Sequence, residues 1–229
     1  MLAPAPFAPV LFRFMRDLRK NNDREWFLAH KERFERDVKE PALRFIAAFA
    51  PALRRISPHL VADLRPVGGS FFRIQRDIRS GVDKRPYKTY VGIHFRLGAA
   101  EGPHAPGLYL HLEPGDVFAG AGIWEPDGAV LSELRDAIAA SPAAYRRAVG
   151  ARSFSERFSF TGESLVRVPR GYDGDHPCAE AFKRKSHIAI AGFSERDACA
   201  DDFPDRLERT WRASAPLMRF LTQALGLPF

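Results

Sequence analysis

Apolar residues recur every three or four positions at the start of the chain. Leu11, Phe14, Met15 and Leu18 predict a first helix that Asn21-Asn22 ends. Asp23 is placed to cap a second helix, with Trp26, Phe27, His30, Phe34 and Val38 along one stripe and Lys31, Glu32, Arg33, Glu35 and Arg36 on its wet side. Pro41 suits the first turn of a third helix carrying Leu43, Ile46, Ala47, Ala50 and Leu53, which Ser57-Pro58 closes.

From about residue 60 the period changes to two. Phe72, Ile74 and Ile78 alternate with Arg73, Gln75, Asp77 and Arg79, which predicts a strand. Val91, Ile93 and Phe95 alternate with Gly92, His94 and Arg96, and Leu108, Leu110 and Leu112 alternate with Tyr109, His111 and Glu113. Pro114-Gly115 marks a tight turn into a strand at Val117–Trp124. Helices return at 128–149, interrupted at Ser141-Pro142, and short strands are expected at 154–160 and 164–168. A helix near Cys178–Arg184, a strand at Ile188–Phe193 and a long helix at 203–225, which Pro216 should kink or divide, complete the chain. Helices, then strands, then helices predict a single α+β domain over 1–229. Its central, mainly antiparallel sheet would carry the N-terminal and C-terminal helices on its apolar face.

Composition narrows the class. At 229 residues, 45% hydrophobic and 28% charged, the chain has material for a core and is not of disordered type. Cys178 and Cys199 are the only cysteines, too few for a disulfide scaffold. Met1 to Val10 is broken by Pro4, Pro6 and Pro9 and lacks the apolar run of an export signal, and no stretch of about 18 apolar residues occurs. The expectation is a cytoplasmic protein without a membrane partner.

The net charge is +7, and 28 of the 35 basic residues are arginine. That charge is concentrated. Residues 71–96 carry seven basic and two acidic side chains, a local +5, whereas residues 97–150 carry three basic and seven acidic, a local −4. Strand alternation points Arg73, Gln75, Asp77 and Arg79 together and leaves Arg76 on the side the isoleucines would bury. The turn Ser80-Gly81-Val82 lets residues 84–88 fold back beside 73–79, which brings Lys84 and Lys88 towards Arg73 and Arg79. Like charges so gathered destabilise a fold unless Asp77, Asp83 or a bound anion offsets them. An internal ion-pair network is the bland alternative.

The stretch Arg73-Ile-x-Arg76-Asp77-x-Arg79, followed by Asp83-Lys84-x-Pro86-Tyr87-Lys88-Thr89, resembles the signature of the DUF2461 family. Supporting matches span nearly the whole chain. They include Leu18-x-x-Asn21-Asn22 with Glu25-Trp26-Phe27, Tyr109-Leu110-His111-Leu112-Glu113-Pro114-Gly115, Gly122-Ile123-Trp124-x-Pro126, Pro169-Arg170-Gly171-Tyr172, Asp175-His176-Pro177 and Lys183-x-Lys185. The chain departs from the pattern at Ser80-Gly81, where an aromatic followed by serine is usual. The resemblance implies no substrate, cofactor or catalytic residue, so the cofactor stays unknown.

The expectation from the residues is therefore a binding site for a phosphate- or carboxylate-bearing small molecule, with or without chemistry. Its residues would be Arg73, Arg76, Asp77, Arg79, Lys84, Tyr87, Lys88 and His111, lining a concave pocket beside the 73–88 segment. Tyr87 and His111 are the candidate proton-transfer groups. A nucleic-acid partner ranks second, since no reader motif appears and the acidic stretch interrupts the charge; an interaction scaffold ranks third. His94, His111 and Glu113 form a possible metal set that the cationic surroundings oppose, so no metal is expected. His176 in the loop Asp173–Pro177 reads as a turn and helix cap ahead of an acid–base group. No Walker, Rossmann or serine-nucleophile motif is present.

Overall fold

The structure, a computed structural model, describes residues 5–77, 79, 84–98 and 105–229. Helix α1 (Pro9–Lys20) starts with proline at its first position and buries Leu11, Phe12, Phe14, Met15 and Leu18. The Asp23 carboxylate caps α2 (Arg24–Ala29) by accepting from the Trp26 amide at 2.8 Å. The second and third predicted helices are joined. After a break at His30, α3 (Lys31–Phe34) passes through a π-helical turn (Glu35–Lys39) into α4 (Glu40–Ile56) without leaving helical geometry. Pro41 has no N–H to return to the preceding turn, and the ladder widens to the π spacing just ahead of it.

Six antiparallel strands form the sheet in the order β1-β2-β3-β4-β6-β5. They are β1 (Leu60–Val61), β2 (Val91–Leu97), β3 (Gly107–Glu113), β4 (Asp116–Ile123), β5 (Ser159–Thr161) and β6 (His187–Phe193). The β3–β4 hairpin closes as expected at Pro114-Gly115, with Gly115 at φ 84°. Between β4 and β5 come α5 (Gly128–Ala140), α6 (Pro142–Gly150) and α7 (Arg152–Ser155), and α8 (Ala179–Lys183) precedes β6. The short α9 (Glu195–Ala198) opens on a reciprocal cap between Ser194 and Asp197, and α10 (Phe203–Ala224) ends the fold.

Helices cover one sheet face, as the period-two pattern requires. Ile93, Phe95, Leu108, Leu110, Leu112, Ala119 and Ala121 are fully buried on that face. The rings of Phe49 on α4, Phe95 on β2 and Trp211 on α10 meet at centroid distances of 5.5–5.9 Å, and the Trp211 indole N–H donates to the Gly120 carbonyl at 3.0 Å. No helix among the described residues is long and apolar enough to cross a membrane.

Three expectations are corrected and a fourth is narrowed. Residues 71–77 are not a ladder strand; they attach through single bridges, Phe71 to Ile93 and Gln75 to Tyr87, so their alternation does not map onto two faces. Phe154 lies on helix α7, where it packs on Phe158 at 5.1 Å, and only 159–161 form the strand. The segment 164–168 contributes one bridge, Ser164 to Arg184. Of the two outcomes expected at Pro216, division does not occur: α10 is one helix across it, with Ala213, Leu217, Met218 and Leu221 buried on either side. Ile78, Asp83 and the turn Ser80-Gly81-Val82 lie outside the described residues.

Gly122 is the tightest point of the sheet. Its φ is 130°, and a Cβ there would sit 2.0 Å from the His187 carbonyl oxygen. Gly122→Ala should destabilise the fold by at least about 2 kcal/mol, through both strain and a backbone clash. A urea titration with an unshifted midpoint would contradict this.

Candidate functional site

The second face of the sheet carries a polar row. Antiparallel register sets His94 opposite Tyr109 and Gly92 opposite His111. Along β3, Tyr109, His111 and Glu113 project to this face together. Small residues make the room: a Cβ on Gly92 would lie 2.7 Å from the Tyr109 hydroxyl, and one on Gly107 would lie 2.3 Å from His94 Nε2.

The row is hydrogen-bonded end to end. The Tyr109 hydroxyl is 3.1 Å from His111 Nδ1, and His111 Nε2 is 3.2 Å from Glu113 Oε2. Thr89 Oγ1 and Arg19 Nη2 donate to Glu113 Oε1 at 2.8 and 2.6 Å. The tautomer is fixed by donor counting. An ionised carboxylate only accepts, so His111 carries its proton on Nε2 and receives the Tyr109 hydroxyl on Nδ1. The imidazole is sandwiched between Phe118 (4.6 Å) and Tyr90 (4.5 Å).

Burial sets the charge states. It pushes His111 below the usual histidine value, against the pull of Glu113, so the ring is neutral near pH 7. Burial alone would raise Glu113, but the bonds from Thr89, His111 and Arg19 outweigh it and hold the carboxyl below its usual range. Tyr109 is driven well above a normal phenol by burial and by its acidic neighbours, which keeps it a donor. Burial also brings His94 down to about 4, with help from Arg96.

The cationic segment adjoins this row. The fold-back of 84–88 beside 73–77 is present: the Arg76 amide donates to the Pro86 carbonyl at 2.9 Å and the Lys88 amide to the Ile74 carbonyl at 2.8 Å. The Lys88 ammonium donates to the Arg73 carbonyl at 2.8 Å and lies 5.4 Å from the Phe72 ring centroid. Phe72 in turn stands 5.8 Å from Tyr109 and 5.9 Å from His94, joining the lysine to the row. Burial lowers the Lys88 pKa, and the charges of Arg73 and Arg76 lower it further. Among the described residues no carboxylate pairs with Lys88.

The other expected residues fall differently. Arg79 is exposed and holds Asp77 through two bonds of 3.0 and 2.6 Å, an ion pair turned to solvent. Lys84 is exposed, Arg73 likewise, and Arg76 is half-buried. Tyr87 is core: 6% exposed and stacked on Phe27 at 4.2 Å. Its backbone is clasped by Asn22, whose amide accepts from Tyr87 N–H and donates to Tyr87 C=O, both at 3.0 Å. Two open hollows of the described residues flank α6, away from the 73–88 segment. His176 accepts from the Cys178 amide at 3.1 Å, consistent with a turn.

Residue typing from sequence missed Tyr109, Tyr90, Thr89 and Arg19. The spacing Tyr109-x-His111-x-Glu113 was the available signal. For a metal, the donors that converge are His111, Glu113 and Asp116, within 4.8 Å of one another. His94 is not among them, because register sets it opposite Tyr109. Arg19 on Glu113 already supplies positive charge there and works against a divalent ion.

An antiparallel six-stranded sheet with helices on its apolar face and a Tyr-His-Glu row beside a basic segment defines an α+β protein with a polar row on its second sheet face. The family model described as "Conserved hypothetical protein (DUF2461)" matches residues 10–220, and the chain belongs to that family. No curated protein and no solved structure matches the chain.

Asn22→Ala removes both bonds to Tyr87 and should cost about 1–3 kcal/mol, read as a lowered urea midpoint; an unchanged midpoint contradicts the clasp. His94 and His187, the latter pushed to about 3 by burial and the charges of Arg184 and Arg135, are neutral in the fold but titrate normally when unfolded. The unfolded chain therefore binds more protons below about pH 6.5, so stability is complete above that value and falls on acidification towards pH 4. The slope should approach roughly 2–3 kcal/mol per pH unit for the two together. His187→Leu should flatten it by about half, and an unaltered slope in that variant would refute the assignment.

Proposed function

We propose that the polar sheet face binds a phosphate- or carboxylate-bearing small molecule. Lys88, Arg73 and Arg76 take the anion, and the Tyr109–His111–Glu113 row lies against the body of the ligand. The observation that carries this reading is Lys88: an ammonium half-buried against Phe72, crowded by two guanidinium groups and served, among the described residues, by a carbonyl alone. A cation held in that way is a cost to the apo fold that a bound anion offsets.

Arg79 and Asp77 stand outside the site, since they satisfy one another in solvent. Tyr87 and Asn22 act indirectly, by fixing the backbone from which Lys88 projects. Beside the anion, the Tyr109 hydroxyl can turn from His111 Nδ1 to donate a hydrogen bond to a ligand oxygen, and burial keeps its proton in place, so the row orients the ligand through a donor held by His111 and Glu113.

Thermal unfolding in the presence of inorganic phosphate, pyrophosphate and citrate tests the reading. At a hundredfold excess over Kd the midpoint should rise by about 5–10 °C for the anion that fits. Lys88→Met should raise the apo midpoint or leave it level and abolish the ligand-induced rise. Binding should also weaken as pH climbs through the depressed Lys88 range, below that of an ordinary lysine. If none of these anions shifts the midpoint, or if Lys88→Met retains the full shift, the reading fails.

A further inference from the structure

A second place in the fold brings a guanidinium and a phenol together beside aromatic side chains. A hollow of about 340 Å³ opens between α6, α7, β5 and α8. Its apolar walls are Val149, Phe154, Phe158 and Phe160, and its polar side is Tyr145 and Arg184. The volume falls at the small end of the range for ligand sites, about 300–1,000 Å³.

Arg184 is built into position. Arg135 donates to the carbonyls of Phe182 (2.8 Å) and Arg184 (3.3 Å), while the Ser164–Arg184 bridge fixes the same backbone from the other side. The Arg184 guanidinium lies 4.0 Å from the Phe160 ring centroid, and its Nε is buried without a hydrogen-bond partner among the described residues. Nor does any carboxylate among them pair with it. Glu180, the acidic residue of the rim, is taken by Lys183 at 2.6 Å. Buried polar groups without partners are rare in folded proteins and require an explanation.

The surroundings favour an anion over a cation. His187, wholly buried 6.5 Å from the Tyr145 ring, has neither nitrogen bonded among the described residues and is held neutral by burial first and by the charges of Arg184 and Arg135 second. Burial pushes Tyr145 up to about 12 against the charge and hydrogen bond of Arg184 beside it, so its hydroxyl keeps its proton and stays a donor. Burial likewise raises the Cys178 thiol, which adds no negative charge.

We propose that this hollow is a second ligand site, one that takes a small organic carboxylate with an apolar body. Arg184 and Tyr145 hold the carboxylate, Arg146 adds charge at the rim, and the phenylalanines and Val149 enclose the body. The site is separate from the Lys88 face and does not rest on it.

Titration calorimetry with 4-phenylbutanoate provides the test, with 4-phenylbutanamide and acetate as probes lacking the charge or the body. Saturable binding of the acid is expected, with the amide and acetate each weaker by roughly tenfold or more. Arg184→Met should lose binding by a similar factor. Tyr145→Phe, which removes one oxygen and tests the site should the arginine variant misfold, should lose roughly two- to tenfold. Lys88→Met should bind as the unaltered chain does. The proposal is overturned if the acid gives no saturable heat at millimolar concentration, if the amide binds equally well, or if Tyr145→Phe binds undiminished. It is also overturned if Lys88→Met, not Arg184→Met, removes the binding.

Discussion

The clasp of Asn22 on the Tyr87 backbone ties the first helices to the polar face of the sheet. Two hydrogen bonds join the end of the first helix to a segment 65 residues away, and Phe27 stacks on the tyrosine ring beside them. The three residues after Tyr87 are thereby fixed in direction. Lys88 reaches back to the Arg73 carbonyl, Thr89 donates to Glu113, and Tyr90 covers His111. A short run of neighbours thus supplies a cation, a carboxylate anchor and a ring wall. None of them has regular secondary structure to set its direction, so the clasp has that task.

Glu113 ties the same region to the helices. It accepts from Thr89, Arg19 and His111 at once, so one carboxylate is shared by the first helix, the loop and the sheet. Charge on this face is arranged in a gradient along β3. The Glu113 end is negative and well satisfied, the middle is a neutral imidazole, and the Phe72 end meets the crowded cations. A ligand with an acidic head and a body carrying hydroxyl or carbonyl groups would meet both ends.

Much of the fold was legible because burial on one side imposes a period. The alternations at 91–97 and 107–113 became β2 and β3 where helices cover one face, and the Asp23 cap and the Pro114-Gly115 turn rest on local chemistry that context did not override. Two-residue β1 and four-residue α9 are too short to carry a period. The segment 71–77 misled for a different reason. Its pairing is two isolated bridges, so Ile74 is buried while Phe72, its partner in the alternation, stands 36% exposed on the polar face. The site was half legible. Charge density marked Lys88, Arg73 and Arg76, but Tyr87 was read by its hydroxyl when its ring decided its fate, and Tyr109 became relevant only once register had set it beside His111 and Phe72.

The π-helical turn at Glu35–Lys39 has a consequence for how this family can vary in length. A π turn accommodates one residue beyond the ordinary repeat, so the chain could lose a residue there and regain a regular helix. The wide turn absorbs that residue, so Phe45, Ile46 and Phe49 keep the phase with which they fill the interior whether or not it is present. The same loss inside regular helix would rotate everything beyond it by about 100°, which makes this turn the one place along α3 and α4 where a single-residue change in length leaves the inward face unchanged.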